Sequence, residues 1–336
     1  MSSIDSTIKQ KFAEKTVVII GDLVADQNLN GTIARVSREA PVFILRHDDT
    51  ATTPGAAANA AANVASLGGT PLLVGVTGND ANGDLLRDAI IAAGIEPNHI
   101  ISDDSVTTTT KVRVLAGQSH AVRQQVIRID YENKAEFTDN MRGRITDALK
   151  LACENADAII VSDYSYGVIE TSTFEAARAI ALRKKIPLLI DSRFSLSKYS
   201  GATAATPNQD EVEQILGKHF SEADCFRLRE ELGYEALLVT NGNRGMQVFE
   251  SEGVSTQIDA VGSPQPVDVT GAGDTVIAAF ALGLASGMDF VSAARIANHA
   301  GGLVVMKKGT ATITTEELIA SINAESNPEA AKKTNA

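Results

Sequence analysis

Asp268-Val269-Thr270-Gly271-Ala272-Gly273-Asp274-Thr275 sets a carboxylate inside a run of small residues. The β-favouring Val267 and Val269 lead into this turn, and the apolar run Val276-Ile277-Ala278-Ala279-Phe280-Ala281-Leu282 leaves it. A helix that starts at such a turn presents unpaired N–H groups and the positive end of its dipole, and both hold anions. An Asp there either caps the helix or acts as a base beside a bound phosphate. An anion cradle next to a base is the equipment for moving a phosphoryl group onto a hydroxyl. The turn is not a P-loop, because no Gly-Lys-Ser/Thr follows, and it lacks the third glycine of a dinucleotide fingerprint.

Other stretches carry polar groups that can serve the same chemistry. Gly55-Ala56-Ala57-Ala58-Asn59 opens a small-sided helix where a backbone can approach a ligand and Asn59 offers a donor and an acceptor. Tight packing on a sheet is the commoner reason for such alanines. Asp26 follows the first strand and can accept from the hydroxyls of a polyol, or can sit in a solvated loop. Asn208 and Glu211 have the spacing of a capping box. Alternatively they organise water around Mg²⁺, which keeps several waters and takes few protein oxygens. Thr240, Gly242 and Gly245 form a turn that can border a nucleotide. Lys111, Arg113, Arg123 and Arg128 are a basic set in an acidic chain, with Arg35 and Arg38 near another candidate strand. Such charges protect a sheet edge or hold a phosphorylated substrate.

These residues need a frame. Continuous apolar runs at Thr16–Gly21, Pro71–Gly75, Ala158–Val161, Pro187–Ile190 and Ala236–Thr240 predict buried parallel strands. Helical patterns lie between and after them, at Ala56–Ser66, Gly83–Ala93, Asn140–Cys153, Ser172–Lys184, Asp210–Leu216, Ala223–Leu232, Ala272–Ser286 and Phe290–Lys307. Repeated βα units imply an α/β fold, a doubly wound, mostly parallel sheet flanked by helices, with ligands at the C-terminal strand ends. Pro41–Arg46, Thr107–Leu115 and Gln125–Ile129 have no helices of their own and are expected to form a small β-sheet lid, in segments at about 32–48 and 105–130. One domain over 1–325 is expected, with a frayed tail at 326–336.

Composition narrows the class. The 336 residues are 44% hydrophobic, which is ample for a core. Acidic residues exceed basic ones, 42 to 30, for a net charge of −12, which argues against a nucleic-acid partner. Two distant cysteines suggest no disulfide framework and a reducing, cytoplasmic setting. No stretch reaches the length of a membrane span. The five histidines are scattered with no zinc spacing.

Taken together, the stretches resemble the ribokinase-like (PfkB) family of sugar kinases from about Val17 to Thr315. The resemblance implies an ATP- and Mg²⁺-dependent transfer in which Asp274 is the base and Gly271, Ala272 and Gly273 supply the anion hole. It implies sugar binding by Asp26 and Asn59 beside Gly55. It places Asn208, Thr240, Gly242, Gly245, Thr270 and Asn298 on the nucleotide side, and Glu211 near the metal through water. It also implies a homodimer through the lid. Within the family, Arg35-Val36-Ser37-Arg38-Glu39-Ala40-Pro41-Val42, Thr110–Leu115 and Ser162-Asp163-Tyr164 resemble the kinase half of the bacterial ADP-heptose synthesis enzymes. That subgroup phosphorylates D-glycero-β-D-manno-heptose 7-phosphate at the anomeric hydroxyl, so Lys111, Arg113, Arg128 and Asp163 become candidate substrate contacts. Three motifs depart from the subgroup: at Ala56, at Tyr166 where it has Lys, and at Ser192-Arg193 where it has Pro-Lys. The chain ends where a nucleotidyltransferase half would begin and has no His-x-Gly-His, so kinase activity alone is expected.

Overall fold

The computed structural model describes residues 3–118, 123–132 and 136–326. Residues 119–122 of the expected lid, with His120, and 327–336 of the expected tail lie outside the described residues. The strands are β1 (Thr16–Gly21), β2 (Leu23–Val36), β3 (Phe43–Ala56), β4 (Thr70–Gly78), β5 (Ile100–Asp103), β6 (Thr110–Gly117), β7 (Gln124–Tyr131), β8 (Ala158–Asp163), β9 (Leu188–Ser192), β10 (Ala204–Ala205), β11 (Ala236–Thr240), β12 (Met246–Phe249) and β13 (Ser255–Ile258). The α-helices are α1 (Ser3–Ser6), α2 (Ala57–Ser66), α3 (Ala81–Ala92), α4 (Asp139–Ala152), α5 (Thr171–Lys184), α6 (Gln209–Leu216), α7 (Glu222–Leu232), α8 (Ala272–Ala285), α9 (Phe290–Val304) and α10 (Thr315–Ser326).

Among the described residues the larger sheet has nine strands in the order β13-β12-β11-β10-β9-β8-β1-β4-β5. Pairing is parallel from β5 to β11, and β12 and β13 add antiparallel edges. The central strand explains why its sequence is continuously apolar. Val17 and Ile19 face one core, with residues of α2, α8 and α9. Val18 and Ile20 face the other, with Met141 and Ile145 of α4 and Phe174 of α5. With both faces covered, alternation disappears from the sequence.

The smaller sheet has the order β3-β2-β6-β7. It is the expected lid, but more extensive than expected. The expected segment at about 32–48 is joined by the residues before it, so that residues 23–36 form one 14-residue strand. That strand pairs antiparallel with β3 and parallel with β6. Arg35 lies nine residues along β2 from Asp26, roughly 30 Å of extended chain. Arg35 and Arg38 are exposed and belong to the far tip of the lid, not to the site.

Most helices start within a residue or two of their expected positions. Phe290–Lys307 instead stops at Val304. The Val305 carbonyl accepts from the N–H groups of Val267 and Asp268, which pulls the chain out of helical register. The same contact holds residues 267–269 as a pinned loop rather than a strand, with Val267 and Val269 exposed. Strands β5 and β10, four and two residues long, were too short to show a pattern, and helix α10 was not expected although Leu318, Ile319 and Ile322 pack into the core. No helix among the described residues is long and apolar enough to cross a membrane. Both cysteines, Cys153 and Cys225, are buried and free.

Candidate active site

The site lies where β1, β8 and β9 end beneath the lid. Asp22, just past β1, is buried, and its carboxylate accepts from the backbone N–H groups of Tyr164 at 2.8 Å, Tyr166 at 3.0 Å and Val168 at 3.1 Å. Burial raises its pKa to about 6 against those three donors. Asp22 thereby fixes the loop that follows β8. Ser165, inside that loop, adopts φ +64.

Asp274 occupies the first turn of α8 and is buried. The Asn59 amide donates to its Oδ2 at 2.7 Å and the Tyr164 hydroxyl to its Oδ1 at 3.0 Å. Burial raises the carboxyl to about 7, the Asn59 and Tyr164 donors and Lys111 oppose this, and Asp26 adds to it. Asn59 is itself oriented. Asn63, one turn along α2, donates to the Asn59 side-chain oxygen at 3.2 Å, and Thr275 donates to Asn63 at 3.0 Å. The alanine-rich face of α2 lets this polar chain sit against α8, so packing and site geometry have one cause.

Gly271 caps α8 with φ +77, a conformation that favours glycine. The Ala272 N–H turns back to the Val269 carbonyl at 3.2 Å. Within the predicted anion hole, Gly273 therefore keeps an N–H without an intrahelical acceptor, and Asp274 joins it. Thr270 is one step removed: its N–H donates to Asp268 at 2.9 Å.

Ala272 and Gly273 open onto a cavity of about 200 Å³. Thr240, Gly242, Gly245 and Asn298 line it too, together with the apolar Val261, Val276 and Val305. Asn298 also donates to the Asp259 carbonyl at 2.7 Å. Six expected nucleotide-side or anion-hole residues thus meet in one slot. Asn208 and Glu211 form a complete capping box on α6. Asn208 bridges Thr240, so α6 starts beside the same slot. Burial holds the Glu211 carboxyl above its usual range, opposed by the Asn208 donors and Arg193. Asp191, at the end of β9, is held well above the carboxylate range by burial and by the charges of Asp274, Glu211 and Asp163.

On the sugar side, Asp26 is buried on β2 and pairs with Arg113 at 2.6 Å. The Thr310 hydroxyl donates to its other oxygen at 3.1 Å. Gly55 faces it: a Cβ there would lie 2.7 Å from Asp26 Oδ2. Gly55 therefore makes room for the Asp26 carboxylate. Lys111 lies 5.6 Å and 5.7 Å from the ring centres of Tyr164 and Tyr166, within cation–π range. Burial lowers its pKa, and Asp26 partly offsets this.

The lid cations are less free than their sequence suggests. Arg113 is committed to Asp26. Arg128 is exposed and makes two bonds to Asp130, at 2.9 Å each. Arg123 pairs with Asp48 at 2.8 Å, away from Asp274. Asp163 is likewise engaged by the protein. Its carboxylate accepts from Ser165 N–H at 2.8 Å, Ser192 Oγ at 2.9 Å and the Tyr199 hydroxyl at 2.7 Å. It ties the loop after β8 to β9 and to Tyr199. Tyr164 and Thr310 are the polar groups that sequence reasoning missed. Tyr164 stood in a resembling stretch, but nothing local revealed its partner 110 residues away.

The pfkB carbohydrate kinase family pattern matches residues 14–317. A Shewanella piezotolerans protein named bifunctional protein HldE is 39% identical over 319 residues, covering 93% of this chain and 64% of its own length. The chain thus spans just under two thirds of that relative. Arabidopsis thaliana ribokinase, solved with ribose and ATP, superposes with a TM-score of 0.70 at 21% identity, covering 92% of this chain and 98% of that one. Escherichia coli phosphofructokinase-2, solved with substrates and products, gives a TM-score of 0.74 at 16% identity over 93% of this chain and all (100%) of that one. The solved structures share the ribokinase-like fold, and the sequence match is decisive: this chain belongs to the pfkB family of carbohydrate kinases, phosphotransferases that act on a sugar hydroxyl.

Proposed function

We propose that the chain transfers the γ-phosphoryl group of ATP to D-glycero-β-D-manno-heptose 7-phosphate at its anomeric hydroxyl. The observation that carries the kinase chemistry is the buried Asp274 carboxylate, held by Asn59 and Tyr164 at the mouth of the slot lined by Ala272 and Gly273. In this reading Asp274 takes the proton of the acceptor hydroxyl. The acceptor oxygen forms a bond to the γ-phosphorus as the bond to the β-phosphate bridging oxygen breaks, and ADP leaves. The N–H groups at the start of α8 face the charge on the transferring group. Asp26, fixed by Arg113 and Thr310, accepts from sugar hydroxyls. The slot from Thr240 to Val305 takes the nucleoside.

Glu211 suits a magnesium ion held through water. It is a single carboxylate beside the nucleotide slot, and among the described residues no three acidic, His or Cys side chains converge to hold a metal by themselves. When bound with the nucleotide, the ion neutralises phosphate charge.

The heptose assignment is supported by the likeness of Arg35–Val42 and Thr110–Leu115 to the heptose kinase subgroup. Two cations support a substrate that already bears a phosphate. Lys111 reaches into the site, and the exposed Arg193 makes no ion pair among the described residues while its charge acts on Lys111, Tyr166 and Glu211. One observation favours a second reading, an unphosphorylated sugar: Arg113 and Arg128 are already tied to Asp26 and Asp130. An ADP-release screen of sugars and sugar phosphates decides between them. The heptose 7-phosphate is expected to give the highest kcat/KM. Preference for free sugars would replace the substrate assignment and leave the kinase reading intact, whereas ADP release with neither class would overturn both.

We further propose a homodimer formed lid to lid. Ile127, Ile129 and Tyr131 on β7 and Phe43 on β3 are exposed, an apolar surface that pairing would cover. Sedimentation is expected to give a dimer for the unmodified chain and a monomer for Ile127→Glu. A monomeric unmodified chain at micromolar concentration would sink this reading.

A further inference from the structure

The geometry points to Tyr164 as a positioning residue for the base: its hydroxyl grips one oxygen of Asp274 while Asn59 grips the other, so the carboxylate is locked in plane and its charged form is favoured. This inference rests on the reading of Asp274 as the base. Three independent contacts build the arrangement. The hydroxyl donates to Asp274 Oδ1 at 3.0 Å, the backbone N–H is anchored on Asp22 at 2.8 Å, and the Lys111 ammonium lies over the ring at 5.6 Å. A side chain that merely filled space would need none of these.

Each contact has a consequence for the proton. Burial and the charges of Asp274 and Asp191 hold the phenol well above the ordinary tyrosine range, so it keeps its hydrogen and donates it. A cation over the ring draws electron density away from the hydroxyl and makes it a better donor. A donor to a carboxylate favours the charged form, which is the form that accepts the sugar proton. The groups facing Asp274 come from several elements: Asn59 from α2, Asp26 from β2, Lys111 from β6, Tyr164 from the loop after β8, and Asp191 from β9. Asp26 opposes ionisation, Lys111, Asn59 and Tyr164 favour it, and the charge of Asp274 in turn holds Asp191 above its ordinary range. With burial and a neighbouring carboxylate pressing on it, the base depends on its neutral donors. Asn59 is buttressed by Asn63 and Thr275. Tyr164 is buttressed by Asp22, whose grip on alternate N–H groups sets the loop.

The test is the pH profile of kcat/KM. Tyr164→Phe keeps the ring and its contact with Lys111 but removes the donor. Its acid limb is expected to move up by about one pH unit, giving roughly a five-fold loss at pH 7 that is recovered at pH 9. The KM for ATP is expected to stay near that of the unmodified enzyme. Incorporating 3-fluorotyrosine at position 164, a more acidic phenol of nearly the same shape, is expected to move the limb down. A ¹³C titration of the labelled aspartate carboxyls in the ligand-free protein reads the same shift without turnover, with Asp274→Asn identifying the resonance. An acid limb and a resonance that stay in place in both variants would overturn the role of Tyr164. If Asp274→Asn itself turns over normally, the base assignment fails instead, so the two failures are distinguishable.

Discussion

Asp274→Asn is expected to lower turnover by a factor on the order of 10² to 10⁴, the range spanned by general-base catalysis. The substitution is nearly isosteric and leaves the nucleotide slot intact. None of Thr240, Gly242, Gly245 or Asn298 is among the hydrogen-bond partners of Asp274. Affinity for ATP should therefore hold, or rise slightly as a negative charge leaves the neighbourhood of the phosphates. The sign of the pH dependence follows from the same carboxyl. Its pKa is raised to about 7, and only the ionised form accepts a proton. The kcat/KM of the unmodified enzyme is therefore expected to fall as pH drops through 7, and to level off above it. Steady-state kinetics from pH 5.5 to 9 and nucleotide titration calorimetry check both statements. A variant with near-normal turnover, or an unmodified enzyme with a flat profile down to pH 5, would remove Asp274 from the proton transfer.

Gly271→Ala is expected to be nearly as damaging, for a geometric reason. A Cβ at Gly271 would lie 2.5 Å from the Asn59 amide nitrogen, and φ is +77. The left-handed conformation costs about 1–2 kcal/mol for a residue with a Cβ. Asn59 must also retreat, and its 2.7 Å bond to Asp274 cannot survive a shift of an ångström. Misplacement on that scale costs on the order of 10² in rate. Gly273 is the matched control, two residues on and in the same motif. A Cβ there meets no protein atom within 4 Å, but the residue lines the nucleotide slot. Gly273→Ala should keep its melting temperature and raise the KM for ATP, while Gly271→Ala should lose kcat and melt lower. Equal effects of the two substitutions on both parameters would contradict this division of labour.

Local chemistry made the central features readable. The turn at Gly271 is legible because a glycine run ahead of an apolar helix has few other uses. Strand β1 is legible because burial on both faces strips polar residues from it. Strand β2 was legible only at its far end, since the polar Gln27, Asn28 and Asn30 carry no strand pattern and are held in the sheet by pairing with β3 and β6. The partners of Asp163 and Tyr164 were hidden for a related reason. Adjacent in sequence, they bond to different elements around a loop held by Asp22, 142 residues from its Tyr164 contact. A carboxylate looks more functional than a phenol when seen alone. Arg113 likewise reads as a free cation until Asp26, 87 residues away, is placed beside it.

The lid hairpin leaves the frame and returns to almost the same point. Strand β2 starts two residues after β1 ends, β3 runs directly into α2, and the N–H of Ala57 donates to the carbonyl of Asp22 at 3.1 Å. Residues 23–56 are therefore a closed excursion inserted into an ordinary strand-to-helix connection. On the proposed reading, what enters through the loop is choice of substrate, in Asp26 and the strands it recruits, and what stays behind in the frame is the chemistry, in Asn59 and Asp274. A fold wired this way can be re-aimed at a new sugar by exchanging one hairpin and its partner strands, with the phosphoryl-transfer apparatus inherited whole.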